Sequence, residues 1–179
     1  MLLRQADEKL GLTRALSKAL ADPRRRGRCA HSQHDLLRQR LYALALGYED
    51  LNDHDVLRRD TALQTAVGRL DELASAPTLC RFEQRMDREA AWRVHEVLLR
   101  QFVASHKRAP RRLILDFDAT DDAVHGMQEG RFFHGYYDHY CFLPLYVFCG
   151  RQLLVSYLRP SNADGAKHAW AILALLVKR

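Results

Sequence analysis

Through the first hundred positions the apolar residues recur at the spacing of a helix face, whereas beyond Pro110 they gather in short runs rich in β-formers. Leu3, Ala6, Leu10, Leu12, Leu16 and Leu20 predict helix at the start of the chain, and Gly11 divides it into two pieces. Asp22-Pro23 ends that segment, because the residue before proline is pushed away from helical geometry. The loop Arg24-Arg25-Arg26-Gly27-Arg28 follows. Ser32 precedes Asp35 at capping-box spacing and predicts a helix through Leu36, Leu37, Leu41, Leu44 and Ala45. Gly47 is its expected C-terminal stop.

A polar, turn-rich stretch, Gly47-Tyr48-Glu49-Asp50-Leu51-Asn52-Asp53-His54-Asp55, leads into short helices around residues 56–59 and 62–67. Pro77-Thr78 opens another at residues 79–83, and a longer helix is expected over residues 87–105. Short helices joined by tight turns fit a helix-turn-helix, and they fit a plain helical bundle. Spacing does not choose between the two.

After Pro110 the run Leu113-Ile114-Leu115-Asp116-Phe117-Asp118 reads as a strand ending in acids. Residues 142–148 and 153–158, separated by Gly150, read as an antiparallel hairpin, with Pro144 at an edge or a bulge. Ser161 and Asp164 frame a cap for a helix through Ala169, Ile172, Leu173 and Leu176. The order strand, hairpin, helix after a helical first part predicts an α+β or α/β chain.

Composition adds a partner class. With 47% hydrophobic and 28% charged residues the chain can bury a core, and 28 Lys and Arg against 22 Asp and Glu leave +6, a balance suited to a polyanion. Cys29, Cys80, Cys141 and Cys149 form neither a CxxC pair nor a dense framework, as expected of a reducing cytoplasm. The apolar runs are too short to span a bilayer, so the expectation is a cytoplasmic protein without a membrane partner.

Candidate chemistry centres on the acidic strand end. Alternation places Asp116 and Asp118 on one face and Phe117 on the other, with Asp121 and Asp122 just beyond. Such carboxylates either terminate a strand and cap a turn with Thr120, or offer oxygen ligands to a hard cation such as Mg²⁺ or Mn²⁺. Spacing leaves both open. His134, Asp138 and His139 form a second polar cluster; on a strand His134 and Asp138 share a face that His139 does not, which argues against a common metal. Cys29, His31 and His34 lack a fourth zinc ligand. Arg24, Arg25, Arg26 and Arg28, with Arg81 and Arg85 one turn apart, are either solvated or contact phosphates. Tyr136, Tyr137 and Tyr140 read more naturally as packing or edge residues than as base-stacking platforms.

The run from Leu113 to Gly126, which contains Asp118-Ala119-Thr120-Asp121-Asp122, closely resembles the opening of the catalytic domain of DDE group one transposases. Gln128-Glu129-Gly130-Arg131-Phe132-Phe133-His134-Gly135-Tyr136-Tyr137-Asp138, Leu143-Pro144-Leu145-Tyr146 and Leu158-Arg159-Pro160-Ser161-Asn162-Ala163-Asp164 continue the resemblance. Upstream, His31-Ser32, the Gly47 to His54 stretch and Pro77-Thr78-Leu79-Cys80-Arg81-Phe82-Glu83 are similar too, so it covers nearly the whole chain. It implies a helical DNA-binding region, residues 1–109, followed by an incomplete RNase H-like DDE catalytic domain, residues 110–179, of β-β-β-α order. It also implies an insertion-sequence transposase that binds transposon-end and target DNA, cleaves and transfers strands with Mg²⁺ or Mn²⁺, and pairs with itself or full-length transposase. Asp118, followed by a small residue and Thr as in related transposases, is the expected catalytic and metal-binding acid, with Asp116 the alternative. Arg24, Arg25, Arg26, Arg28, Arg81 and Arg85 are the expected DNA contacts. The second Asp and the Glu of the triad find no counterpart, so a truncated chain, inactive alone, is expected. A DNA-binding regulatory fragment and a decayed gene remnant are the alternatives.

Overall fold

The computed structural model describes residues 1–178, with the side chain of Arg26 outside the described set. Two compact units divide it, Met1–Gln101 and Phe102–Arg179. The first is helical: α1 (Leu2–Leu10), α2 (Leu12–Ala19), α3 (Gln33–Ala45), α4 (His54–Leu57), α5 (Thr61–Val67), α6 (Ala76–Glu83) and most of α7 (Arg88–Ser105). Gly11 separates α1 from α2 at φ +66°, a left-handed conformation that glycine adopts without a Cβ penalty. Around α3 the expected box is complete, with Asp35 N donating to Ser32 Oγ and Ser32 N to Asp35 Oδ2, each at 3.1 Å. The far end closes as a Schellman turn: Tyr48 N donates to Ala43 O and Gly47 N to Leu44 O, with Gly47 at φ +90°.

One apolar cluster joins Leu16 of α2 and Leu20 just past its end to Leu36 and Leu37 of α3, Leu79 and Phe82 of α6 and Val97 of α7. A second joins Tyr42 to Leu63, Ala66, Val67 and Leu73. Burying each such Leu or Phe contributes about 1.5–3 kcal/mol, before chain entropy is charged against it. Polar anchors set the register between these elements. Asp7, buried in α1, accepts from Thr13 N at 2.8 Å, Thr13 Oγ1 at 2.6 Å and Tyr42 Oη at 2.9 Å, and pairs with Arg38 at 3.5 Å. Burial alone would raise the Asp7 carboxyl, but the Thr13 and Tyr42 donors and the Arg38 charge outweigh it and hold it below its ordinary value. Burial and donation to Asp7 push the Tyr42 hydroxyl up to about 12. Gln39 plays a similar part, exchanging bonds of 2.8 and 2.9 Å with the Ala74 backbone and contacting Nδ1 of buried His54 at 3.0 Å.

The second unit contains β1 (Asp116–Ala119), β2 (Asp122–Ala123), β3 (Phe132–His134), β4 (His139–Phe142), β5 (Leu145–Cys149), β6 (Gln152–Tyr157) and α8 (Ala169–Val177). All ladders are antiparallel, in two sheets of order β1-β5-β6 and β2-β4-β3. The α+β class holds, but six strands rather than three precede α8, because a second small sheet is inserted between β1 and β5. Three local expectations are corrected. The first strand covers residues 116–119 rather than 113–118, because β5 begins after Pro144 and its pairs with β1 extend only from Leu145 to Phe148. The run 142–148 is two strands of different sheets, since Pro144 lacks an N–H and occupies the corner between them. The last helix starts at Ala169 without a Ser161–Asp164 capping box: Ser161 Oγ donates to Phe132 O, and Asp164 Oδ1 accepts from Ala166 N. No helix among the described residues is long and apolar enough to cross a membrane.

Replacing Asp7 with Ala strands three buried donors. Asp7→Ala is expected to destabilise the chain by about 2–4 kcal/mol, read as a lower urea midpoint at pH 7. An unchanged midpoint would refute the anchoring role.

Candidate active site

β1 presents its two acids as alternation requires. Asp116 lies opposite Phe148 and Asp118 opposite Tyr146, while Phe117 and Ala119 face the same way as buried Val147 and Leu145. Both carboxylates are exposed, and neither makes a hydrogen bond or ion pair among the described residues. Two residues along a strand separate their Cα atoms by about 7 Å. Oxygen donors of this type and exposure suit Mg²⁺ or Mn²⁺, which take one or two carboxylates and keep several waters. Among the described residues, however, no group of three His, Cys, Asp or Glu side chains is close enough to hold an ion. The pair fits part of a coordination sphere.

Beyond the strand end, Asp121 Oδ2 meets His139 Nε2 at 2.7 Å. Tyr137 stacks on His139 with centroids 6.1 Å apart and lies 4.9 Å from the His134 ring. The Tyr137 hydroxyl is raised, first by burial and then by the charges of Asp121 and Asp118. The alternation argument about His134 and His139 is overturned by the hairpin: the two residues are direct cross-strand partners and share a face, and Asp138 sits in the turn at φ +58°. Cys29, His31 and His34 form no metal group either, and His34 Nε2 contacts Thr13 Oγ1 at 2.9 Å.

Arg159 is the residue that sequence reasoning missed. Its side chain is 1% exposed, yet its hydrogen-bond partners are all carbonyls: Leu143 O at 2.9 Å from Nε, and Asp164, Gly165 and Lys167 O at 3.3, 3.2 and 2.6 Å from Nη1. Burial lowers its pKa, against the charges of Tyr157 and Asp164. The loop it grips packs on the strand that carries the acids, since a Cβ at Gly165 would lie 3.7 Å from Ala119 Cβ. A lone arginine before Pro160 carries no local cue of burial.

The candidate DNA contacts in the helical unit divide into two groups. Arg24 pairs with Asp22 through Nε and Nη2, both at 2.8 Å, and donates to His31 O. Arg85 also reaches Asp22, at 3.1 Å, and its guanidinium lies 5.4 Å from the Phe82 ring centroid. Arg85 stands past the end of α6, so it does not share a helix face with Arg81. Arg25, Arg28 and Arg81 are exposed, with Arg81 donating to Thr78 Oγ1, while the Arg26 side chain lies outside the described residues.

Bonds from Arg24, opposed by burial and aided by Arg85, hold the Asp22 carboxyl far below its ordinary value. A depressed folded pKa means that its stabilisation is present above the unfolded value, near pH 4, and is lost as pH falls toward the folded value. Asp22→Asn is expected to cost about 1–2 kcal/mol at pH 7 and to flatten the acid limb of a urea-midpoint against pH curve. An unchanged acid limb would dismiss this pair as a stabilising contact.

Compared with family models, the chain matches Transposase DDE domain group 1 over residues 1–179. No curated protein and no solved structure matches it. The match spans Asp118-Ala119-Thr120 at the end of β1, where Asp118 is exposed, as well as the helical unit, and the chain belongs to the DDE transposase domain group 1 family.

Proposed function

We propose that the chain serves in DNA transposition, with the helical region, residues 1–109, binding transposon-end DNA and residues 110–179 opening an RNase H-like catalytic domain. The observation that carries this reading is the exposed, unpaired carboxylate Asp118 at the end of β1, in a chain of a transposase family. Supporting it, β1 is an edge strand of its sheet, with β5 on one side and no strand among the described residues on the other. That edge is where a further strand bearing a second acid would pair in an RNase H-like sheet. Arg25, Arg28 and Arg81 are the exposed cations available for phosphates; Arg24 and Arg85 hold Asp22 at the start of the loop that carries Arg25 and Arg28.

Asp118, with Asp116 beside it, would hold Mg²⁺ or Mn²⁺ together with carboxylates not clustered here. When bound, such ions polarise the scissile phosphate and favour deprotonation of water. In the reaction proposed, a water oxygen bonds to phosphorus at the element's end. The P–O3′ bond then breaks, and the leaving 3′ oxygen takes up a proton. The freed 3′ hydroxyl next attacks a target phosphate, forming one P–O bond as another breaks. Asp118 fixes the geometry of this centre from a strand rather than a loop, which limits its motion.

A second reading is favoured by one observation: among the described residues no three ligands converge. In it the chain occupies transposon ends, alone or paired with a catalytically competent transposase, without cleaving them. Both readings require duplex DNA bearing the element's ends to bind, with affinity dropping steeply between 50 and 200 mM salt, roughly tenfold or more for a few phosphate contacts. Absence of binding at low salt would eliminate both. With Mg²⁺ or Mn²⁺ the isolated chain is expected not to nick DNA; nicking abolished by Asp118→Asn would show a complete centre instead.

A further inference from the structure

The stretch Lys107-Arg108-Ala109-Pro110-Arg111-Arg112 holds four cations and no acid. All four side chains are exposed, and among the described residues none makes a hydrogen bond, an ion pair or a ring contact. Arg24 and Arg85 are the contrast, since both are engaged with Asp22. The tract is held at both ends by one end of the first sheet. On one side His106 Nδ1 donates to Phe102 O at 2.8 Å as α7 finishes, and Gln152 Nε2 of β6 donates to Ser105 Oγ at 3.3 Å. On the other, Asp116 pairs with Phe148, near the Gly150-Arg151 turn that joins β5 to β6. Arg151, exposed in that turn, brings a fifth cation to the same end. Pro110 keeps the run out of helix and narrows the conformations a ligand has to order. Extended, six residues reach roughly 20 Å, the rise of about six nucleotides along one strand of a duplex. The charge then reverses: between Arg112 and Arg131 stand five acids and no Lys or Arg.

We propose that Lys107, Arg108, Arg111 and Arg112 form a phosphate clamp for duplex DNA flanking the nucleotide presented at Asp118. The inference rests on the DNA reading of Asp118 and adds to it a second phosphate site, in the unit that carries the acids. Three features favour a polyanion here. Like charges packed this closely repel one another, and with no internal acid to relieve them an external row of anions does so. Three of the four are arginines, whose planar forks meet phosphate oxygens two at a time. A short basic run without internal partners is also the common form of a nucleic-acid contact. Its position favours DNA over an anionic bilayer, because it sets the cations directly before the strand whose proposed substrate is a phosphodiester. The clamp supplies at one end of β1 the attraction that the carboxylates at the other end lack.

The test measures binding of the purified chain to a short duplex by fluorescence anisotropy over a range of salt concentrations. Replacing Lys107, Arg108, Arg111 and Arg112 together with Gln should make the slope of log affinity against log salt shallower by about 3, with the thermal midpoint unchanged. Changing the three arginines to Lys should retain most of the slope, since the charge is kept. On the unaltered chain, bound duplex should protect Arg108, Arg111 and Arg112 from an arginine-specific dicarbonyl reagent, read by mass spectrometry. An unchanged slope in the Gln variant, or protection confined to Arg25, Arg28 and Arg81, overturns the clamp while leaving the duplex-binding function standing. Binding to phosphatidylserine vesicles that the Gln variant loses, with its DNA slope unchanged, would assign the tract to a membrane surface instead. If the unaltered chain binds no duplex at low salt, the parent reading fails as well.

Discussion

The second unit is organised around a cation buried without a counter-ion. Removing a guanidinium from water is expensive, and an arginine usually recovers the cost from a carboxylate. Arg159 recovers it from four carbonyl dipoles instead, drawn from the corner before β5 and from the loop before α8. Its own backbone continues the clasp: Leu143 N donates to Arg159 O, Pro160 bridges to Phe142, and Ser161 Oγ reaches Phe132 O. One short segment thereby ties β3 and β4 to the corner that precedes β5. A carbonyl cage tolerates no substitute charge, because lysine offers a point charge where a planar fork with donors on two nitrogens is used. The caged loop also passes close to the strand that carries Asp118, at Gly165 and Ala119, while the ladder with β5 sets that strand's register.

The helical unit solves the inverse problem. There the buried ion is an anion, Asp7, and it is satisfied by one backbone N–H, two hydroxyl donors and an arginine. Both units thus fix their geometry by satisfying one costly polar group from several elements, and apolar packing fills in around it. This arrangement sharpens specificity, since any register that misses the donors strands a charge. It also makes the anchors poor sites for substitution.

What could be read in advance follows how far each determinant reaches. The helices were legible because their stops are local: Gly11, the Ser32 and Asp35 box and the Gly47 turn lie within a few residues of the ends they define. So was the shared face of Asp116 and Asp118, which needs only strand alternation. The start of α8 was not legible, because Arg159 holds the preceding loop in a different shape. The pairing of His134 with His139 depends on a tight turn with Asp138 at positive φ, which the pattern of polar and apolar residues does not encode. Likewise, Arg85 looked like a free cation because its partner, Asp22, is 63 residues away, whereas the Arg24 pair lies only two residues apart and was open to local reading. A basic run counts as a phosphate site only after its internal partners are known.

The two halves of the proposed function also pull in opposite electrostatic directions. Exposed Arg25, Arg28 and Arg81 attract a polyanion without assistance. Asp116, Asp118 and Asp122 at the other site are exposed carboxylates that repel it. A strand can approach that end only if a cation first lowers the local negative charge, and a nearby phosphate in turn supplies oxygens that retain the cation. In the proposed reading, binding of the two would therefore be positively and reciprocally coupled at the acidic end. At the arginines a divalent ion would compete with protein for phosphate and weaken the proposed binding. Divalent ions would thus shift DNA from nonspecific contact with the basic surface toward engagement at Asp118, which is a physical reason for a transposase domain to keep its acids solvent-exposed and unpaired.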